Sequence, residues 1–329
     1  MSITFLSFQR NLPVFRNFPR SIDFVCNSYY YIISFLKTDN AISRNRGARM
    51  KYKIIMDSSS NIFDLEQVSF SSVPLKIITD QKEFTDDPNL DLNEMLTYLS
   101  AYKGRSGTAC PNIHEWLEAF GDAEYVFAVT ITGTLSGCHN AAVQAKDSYE
   151  KAHPGRRVCC LDSLSTGPEM VLIAEKLREL ILSDPELSFE QIETEIRAYM
   201  KQTHLIFTLE SLNNMAQNGR VSPLVAKACG LLGIRIVGQA SSEGTLQPLH
   251  KSRGIAKALK MMLEEMKKNG YRGGKLRIVH CQNEAAAREF LKLVKTEFPD
   301  CDASIGNTTA LCSFYAEKGG LMAGYESSL

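Results

Sequence analysis

No apolar run in the 329-residue chain approaches the roughly 18 residues that a membrane-spanning helix needs. The densest stretch, Tyr29-Tyr30-Tyr31-Ile32-Ile33, is short and polar-flanked, so an integral membrane segment is excluded at this level. Net charge is missing too. The 37 Lys and Arg balance 37 Asp and Glu, which leaves no chain-wide attraction for a phosphate backbone or an anionic bilayer, and no nucleic-acid partner is expected. The nine cysteines contain no CxxC and are odd in number, which argues against a disulfide framework and for reduced thiols in the cytoplasm. None of the six histidines stands in an HExxH, HxH or Cys/His arrangement, so no metal is expected. A GxxxxGKS/T phosphate loop is absent, since Gly273-Gly274-Lys275-Leu276 lacks the leading Gly and the hydroxyl, and no GxGxxG follows a strand. No nucleotide cofactor is expected. Ser136 in Gly133-Thr134-Leu135-Ser136-Gly137 is one residue out of register with the GxSxG nucleophile elbow.

What remains is ordinary globular composition, 44% hydrophobic and 9% aromatic, in a chain long enough for two domains at about 150 residues each. The charge balance conceals a split: residues 1–49 carry a net +5 and the rest a net −5. That lead is Arg-rich and acid-poor, as an organellar transit segment would be, but Pro13 and Pro19 interrupt it and it has no helical period. The alternative is upstream sequence preceding a natural start at Met50, because Met50-Lys51-Tyr52-Lys53-Ile54-Ile55-Met56-Asp57 opens like a buried first strand. The lead is expected to be a disordered extension outside the fold.

From there β-rich runs alternate with helix-length periodic segments. Strands are expected at 51–56, 73–79, 124–130, 156–161, 204–208, 233–238, 275–281 and 319–325. Helices are expected at 91–103, 111–120, 136–152, 167–182, 188–202, 252–268 and 283–297. Ser188-Phe-Glu-Gln191 is a capping box, and Gly270 closes the helix that ends at Lys268-Asn269. The alternation predicts parallel βαβ units and an α/β class. Two consecutive helices, with Asp184-Pro185 between them, break it and mark the passage between a domain at 50–202 and another at 203–329.

Four loops stand at expected strand ends, where open parallel sheets bind ligands. They are Asp57-Ser58-Ser59-Ser60-Asn61, Gly107-Thr108-Ala109-Cys110-Pro111-Asn112, Thr130-Ile131-Thr132-Gly133-Thr134-Leu135-Ser136-Gly137 and Asn218-Gly219-Arg220-Val221-Ser222. Pro111 suits the first turn of the following helix. Ser136 falls at or near a helix N-cap, where free N–H groups and the helix dipole favour an anion. A bare capping Ser and a surface Arg are the alternative readings of Ser136 and Arg220.

Taken in order, these loops together with Val73-Pro74-Leu75, Val158-x-x-x-Asp162-Ser163 and Lys251-Ser252-Arg253 resemble the DegV family over about residues 51–326. That family comprises bacterial fatty-acid-binding proteins, including the FakB subunits of fatty acid kinase. The resemblance implies a two-domain EDD fold, a parallel-sheet N-terminal domain and a smaller α/β C-terminal domain, with a long-chain fatty acid between them. By motif position the carboxylate is held by Thr108 and Ser136, with Ser59, Thr132, Gly137, Gly219, Arg220 and Thr308 lining the site or facing the partner. It implies a carrier that presents its lipid to a separate kinase for acyl phosphate formation in phospholipid metabolism, and carries out no bond chemistry itself. Three departures stand out. Cys110 and Asn112 replace family polar residues around Pro111, Asn218 replaces a Gly, and Thr308 stands where the family has a His in Gly306-Asn307-Thr308-Thr309-Ala310-Leu311. Thr308 has a hydroxyl but cannot carry the charge of a His. His280 is expected to be a core or rim histidine. The competing class is an α/β hydrolase with Ser136 as nucleophile, which requires a base such as His139 or His280 within reach. A transcriptional regulator is disfavoured by neutral charge and the lack of a helix-turn-helix pattern.

Overall fold

The computed structural model describes residues 51–184, 186–222 and 234–328. The lead at 1–49, Met50, Pro185 and the first residue of the strand expected at 233–238 lie outside the described residues. Four parallel strands form the first sheet, in the order β2-β1-β6-β7: β1 (Tyr52–Asp57), β2 (Ser69–Val73), β6 (Tyr125–Thr130) and β7 (Arg157–Asp162). Both faces of such a sheet must be covered, and its strands read accordingly as near-continuous apolar runs. On one face Ile54, Met56, Phe127, Val129 and Leu161 pack against α4 (Pro168–Ser183) and α5 (Phe189–Tyr199). On the other, Ile55, Val126 and Ala128 meet Trp116 and Phe120 of α2 (Ile113–Phe120) and Ala142 of α3 (Cys138–Ala152). Period-2 alternation sends neighbouring residues such as Ile54 and Ile55 into different cores.

The second sheet contains only strands from Thr203 onward. It has six, in the order β10-β9-β8-β13-β11-β12: β8 (Thr203–Leu209), β9 (Ile234–Ala240), β10 (Leu246–Arg253), β11 (Leu276–His280), β12 (Ala303–Asn307) and β13 (Leu321–Glu326). Contrary to the parallel arrangement that alternation implied, it is antiparallel everywhere except β11–β12. That pair is joined by a helix crossover, through α8 (Glu284–Glu297), whereas β9 and β10 form a hairpin that needs no crossover. One face packs on α7 (Ile255–Lys268) and α8 through Ile206, Val237, Met262, Leu276 and Phe290. The opposite face carries Leu205, Phe207, Leu209 and Met322.

A small antiparallel sheet, β4-β3-β5, is made of β3 (Lys76–Ile78), β4 (Glu83–Thr85) and β5 (Gly107–Ala109); strands β4, β5, β10, β12 and nearly all of β2 stand outside the expected strands, as the helices α6 (Asn213–Gln217) and α9 (Ala310–Ala316) stand outside the expected helices. The expected strand 73–79 is split, because Pro74 has no N–H with which to continue the ladder and Leu75 instead donates its own to Ser58 Oγ at 3.0 Å. Helix α1 (Leu92–Ala101) covers the small sheet with Met95. Ser252 and Arg253, expected to open a helix, pair with β9 instead, and the helix begins only after Gly254. Pro111 precedes the N-cap of α2 rather than entering it, since Asn112 and Glu115 form a capping box there. The box at Ser188 and Gln191 is present as expected. Among the described residues no helix is long and apolar enough to cross a membrane.

Helix α4 lies between the two large sheets. Its apolar side (Met170, Ile173, Leu177, Ile181) faces the parallel sheet, and its carboxylates face the other. Glu175 pairs with Arg277 at 2.7 and 2.8 Å, Glu179 with Lys275, and Glu169 accepts from Thr203 Oγ1 at 2.9 Å. The approach is close: a Cβ at Gly324 of β13 would fall 2.4 Å from the Pro168 carbonyl carbon and 2.5 Å from the Glu169 nitrogen, so only glycine fits. Burial pushes the Glu169 carboxyl up to about 7, against the opposing pull of its hydroxyl donors. A carboxyl raised in the fold binds more protons folded than unfolded, so this group makes stability fall as pH rises from about 4.5 to about 7. Glu169→Gln keeps an acceptor for Thr203 and is expected to flatten that window by up to about 3 kcal/mol. Urea unfolding at pH 4.5 and 7.5 measures it, and an identical pH dependence in the variant would refute the assignment.

Candidate functional site

The loop after β6 is built by backbone donors that find buried acceptors. Ile131 N–H reaches Asp57 Oδ2 at 2.7 Å, Thr132 N–H reaches Ser165 O at 2.9 Å, and Gly133 N–H reaches the Asp162 carboxylate at 3.1 and 3.2 Å. The chain then winds into α3, whose N-cap is Gly137, so Ser136 lies just ahead of it. Ser136 Oγ accepts the Cys138 N–H at 3.3 Å and stands 3.2 Å from the Cys138 sulfur. Thr108 lies in β5 opposite Ile77, and its Oγ1 is 2.7 Å from Tyr315 Oη of α9. Helix α9 is held at its start by Asp86, which accepts the N–H groups of Ala310 (2.8 Å) and Leu311 (3.0 Å). Arg220 follows Gly219, whose positive φ of 73° turns the chain, and donates from Nε to Leu135 O at 3.3 Å and from Nη1 to Asn218 O.

Thr108, Thr132, Ser136 and Arg220 thus line one cavity, which with its open mouth encloses about 850 Å³ of empty space. Its other walls are overwhelmingly apolar. Leu75, Ile131 and Leu135 come from the first part of the chain, and Leu205, Phe207, Leu209, Met215 and Met322 from the second. Leu205, Phe207 and Leu209 alternate along β8, so they share the face of the second sheet that α7 and α8 leave uncovered. The β9–β10 hairpin completes the rim. Thr134 Oγ1 donates to Glu243 O at 2.7 Å, and Gly244, at φ 75°, comes so near Thr132 that a side chain there would collide with its hydroxyl.

The other residues singled out in the sequence do not line this cavity. Ser59 Oγ donates to Asp57 Oδ1 at 2.5 Å, and its carbonyl accepts the Gly167 N–H, so it braces the loop floor. Gly137 backs the Cys110 sulfur, and Gly219 supplies the turn before Arg220. Thr308 is buried, bonded to Ser313 Oγ at 2.6 Å and His280 O at 3.2 Å, in a separate pocket with His280, Cys281 and Asn307. His280 Nδ1 accepts the Asn283 N–H, and His139 Nδ1 pairs with Thr130 Oγ1 at 3.2 Å. Neither has a bond to Ser136. Residues not singled out in the sequence contribute Tyr315, Cys312 and the hydroxyls of Ser165, Thr166 and Thr245 to the lining. Burial raises the Asp57 carboxyl to about 6 despite its donors from Ser59 and Ile131, and burial likewise raises Asp86.

A model of the family described as "uncharacterised protein, DegV family" matches residues 51–326. The chain belongs to the DegV family. A DegV domain-containing protein of Streptococcus pneumoniae is 42% identical to it over 281 residues, 84% of this chain and 99% of that protein. Two solved structures share the DegV fold closely. A DegV family protein from Eubacterium eligens, loaded with heptadecanoic acid, is 44% identical with a TM-score of 0.82, covering 84% of this chain and all of that one. The Streptococcus pneumoniae fatty acid kinase B3 protein, loaded with linoleic acid, is 42% identical with a TM-score of 0.83, covering 85% and 100%.

The Thr108–Tyr315 contact ties the small sheet to α9 across 207 residues of sequence. Tyr315→Phe removes one hydrogen bond and leaves the ring in place, so a stability loss of about 1 kcal/mol is expected. Chemical denaturation checks this. An unchanged midpoint would mean that the bond has no net worth.

Proposed function

We propose that this DegV protein binds a long-chain fatty acid in the cavity and presents its carboxylate to a separate fatty acid kinase. The observation that carries the reading is the composition of the wall: mostly aliphatic and aromatic side chains, with a small set of hydroxyls, those of Thr108 and Ser136 among them, and the cation of Arg220 in the same lining. An apolar tail gains from burial at roughly 0.8 kcal/mol per CH₂, which favours a long chain. The head is then best an anion, because hydroxyl donors and a guanidinium offer charge-assisted bonds. In this reading Thr108 and Ser136 hold the carboxylate, and Arg220 lies beside it and serves the hand-off. The heptadecanoic and linoleic acids in the two relatives support the ligand class. The name of the kinase B3 protein supports the partner. The kinase would supply the phosphoryl group, and the acyl phosphate would enter phospholipid metabolism in the cytoplasm.

Each charge-assisted bond is worth about 1.5–3 kcal/mol, so Thr108→Val or Ser136→Ala should weaken fatty-acid binding roughly ten- to hundredfold. The double variant should be non-additive if both hydroxyls hold one group. A long-chain alcohol, lacking the charge, should lose much less. Calorimetric titration of acid and alcohol decides, and wild-type affinity for the acid in Ser136→Ala would sink the carboxylate assignment. Arg220→Ala should fold normally and bind lipid, yet form acyl phosphate with purified kinase at least tenfold more slowly. Wild-type turnover would remove Arg220 from the hand-off.

A further inference from the structure

Two of the residues whose hydroxyls line the cavity have a cysteine two residues downstream, Cys110 after Thr108 and Cys138 after Ser136. The fold makes these cysteines neighbours. Cys110 is exposed at the end of β5, and Cys138 is buried as the first residue of α3. Between them stands Gly137, where a Cβ would lie 3.0 Å from the Cys110 sulfur, so the sulfur rests against bare backbone. Cys138 follows Gly137 directly, so the Cys110 sulfur stands beside the first turn of the helix that Cys138 opens. Ser136 Oγ is 3.2 Å from the Cys138 sulfur on another side.

The two groups are chemically unequal. The contact with Cys138, together with the backbone N–H groups of Cys110 and Gly137, brings the Cys110 thiol down to about 6, against partial burial and the Glu115 charge. The contact with Cys110, burial and the nearby Asp57 carboxylate push Cys138 well above its ordinary value. An accessible thiolate beside a protonated thiol is the arrangement in which a sulfenic acid, once formed, is condensed to a disulfide. By contrast, burial pushes Cys159, Cys160 and Cys312 up to about 12.

We propose that a hydroperoxide converts Cys110 and Cys138 into a reversible disulfide, and that this bridge weakens ligand binding in the adjoining cavity. The second half rests on the function proposed above. In the first step the Cys110 thiolate attacks the outer peroxide oxygen; the O–O bond breaks, the departing alkoxide takes a proton from water, and Cys110 becomes a sulfenic acid. The Cys138 sulfur then attacks the Cys110 sulfur; the S–O bond breaks, and hydroxide leaves with the Cys138 proton as water. Two thiols lose two electrons, and the peroxide accepts them. Drawing two unbonded sulfurs to about 2.05 Å moves the segments carrying Thr108 and Ser136 by roughly an ångström or more, enough to spoil hydrogen bonds to a shared head group.

The full-length protein, reduced and freed of thiols, is treated with hydrogen peroxide, alkylated and digested. A linked peptide pair containing Cys110 and Cys138 is expected, reversed by dithiothreitol and absent in C110S. In C138S the reaction should stop at a dimedone-reactive Cys110. Full alkylation of both cysteines after peroxide, or a Cys110 sulfinic acid with Cys138 still free, overturns the bridge. Titration with heptadecanoic acid should show oxidised protein binding about tenfold more weakly than reduced. Equal affinity in both states overturns the effect on the cavity. If reduced protein binds no fatty acid, the proposed function fails and that effect with it, while the peptide map alone still judges the bridge.

Discussion

Two buried carboxylates hold the walls of the cavity. Asp57, at the end of the first strand, takes the N–H of Ile131 and so fixes the loop that carries Thr132 and Ser136. Asp86 takes the first N–H groups of α9 and so fixes the helix that carries Tyr315. Each acceptor serves donors distant in sequence that would otherwise be buried without partners, at a cost of about 1–3 kcal/mol apiece. Burial raises both carboxyls, and the backbone donors oppose that rise. The hydroxyl-bearing segments therefore stand on rigid anchors. Ser136, one residue ahead of the N-cap Gly137, is held in place because the peptide before it cannot drift.

Helix α4 does for the whole molecule what these carboxylates do for the loops. It turns an apolar stripe to one sheet and acidic residues to the other, and Gly324 lets it sit against β13 at backbone contact. One helix between two sheets of different construction accounts for a cavity with walls from both parts of the chain. The face of β8 that α7 and α8 do not cover is the face that becomes the wall.

The long elements were legible because each has one dominant period: the buried parallel strands, α3, α5, α7 and α8 stand within a few residues of their expected ranges. What escaped had no local signal. The three-residue strands β4 and β5 and the edge strands β10 and β12 are defined by partners rather than by pattern, and the split at Pro74 is decided by a hydroxyl from Ser58. The antiparallel second sheet was hidden because alternation of strand and helix does not specify direction once a hairpin intervenes. In the site, Thr108, Thr132, Ser136 and Arg220 were legible as polar residues in loops at strand ends. Tyr315 was not, since it reaches Thr108 from a helix late in the chain. Ser59 and Thr308 look like site residues in the sequence, but the fold gives their hydroxyls to Asp57 and Ser313.

Because the cavity takes its walls from the loops that follow the parallel strands and from one face of the second sheet, an occupant touches segments that separate when the chain unfolds. Any molecule held there by the folded chain alone adds its own binding free energy to the work of unfolding, about 2.7 kcal/mol at a hundredfold excess over its dissociation constant. The lifetime of the folded chain against proteases would then follow the supply of whatever molecule occupies the cavity.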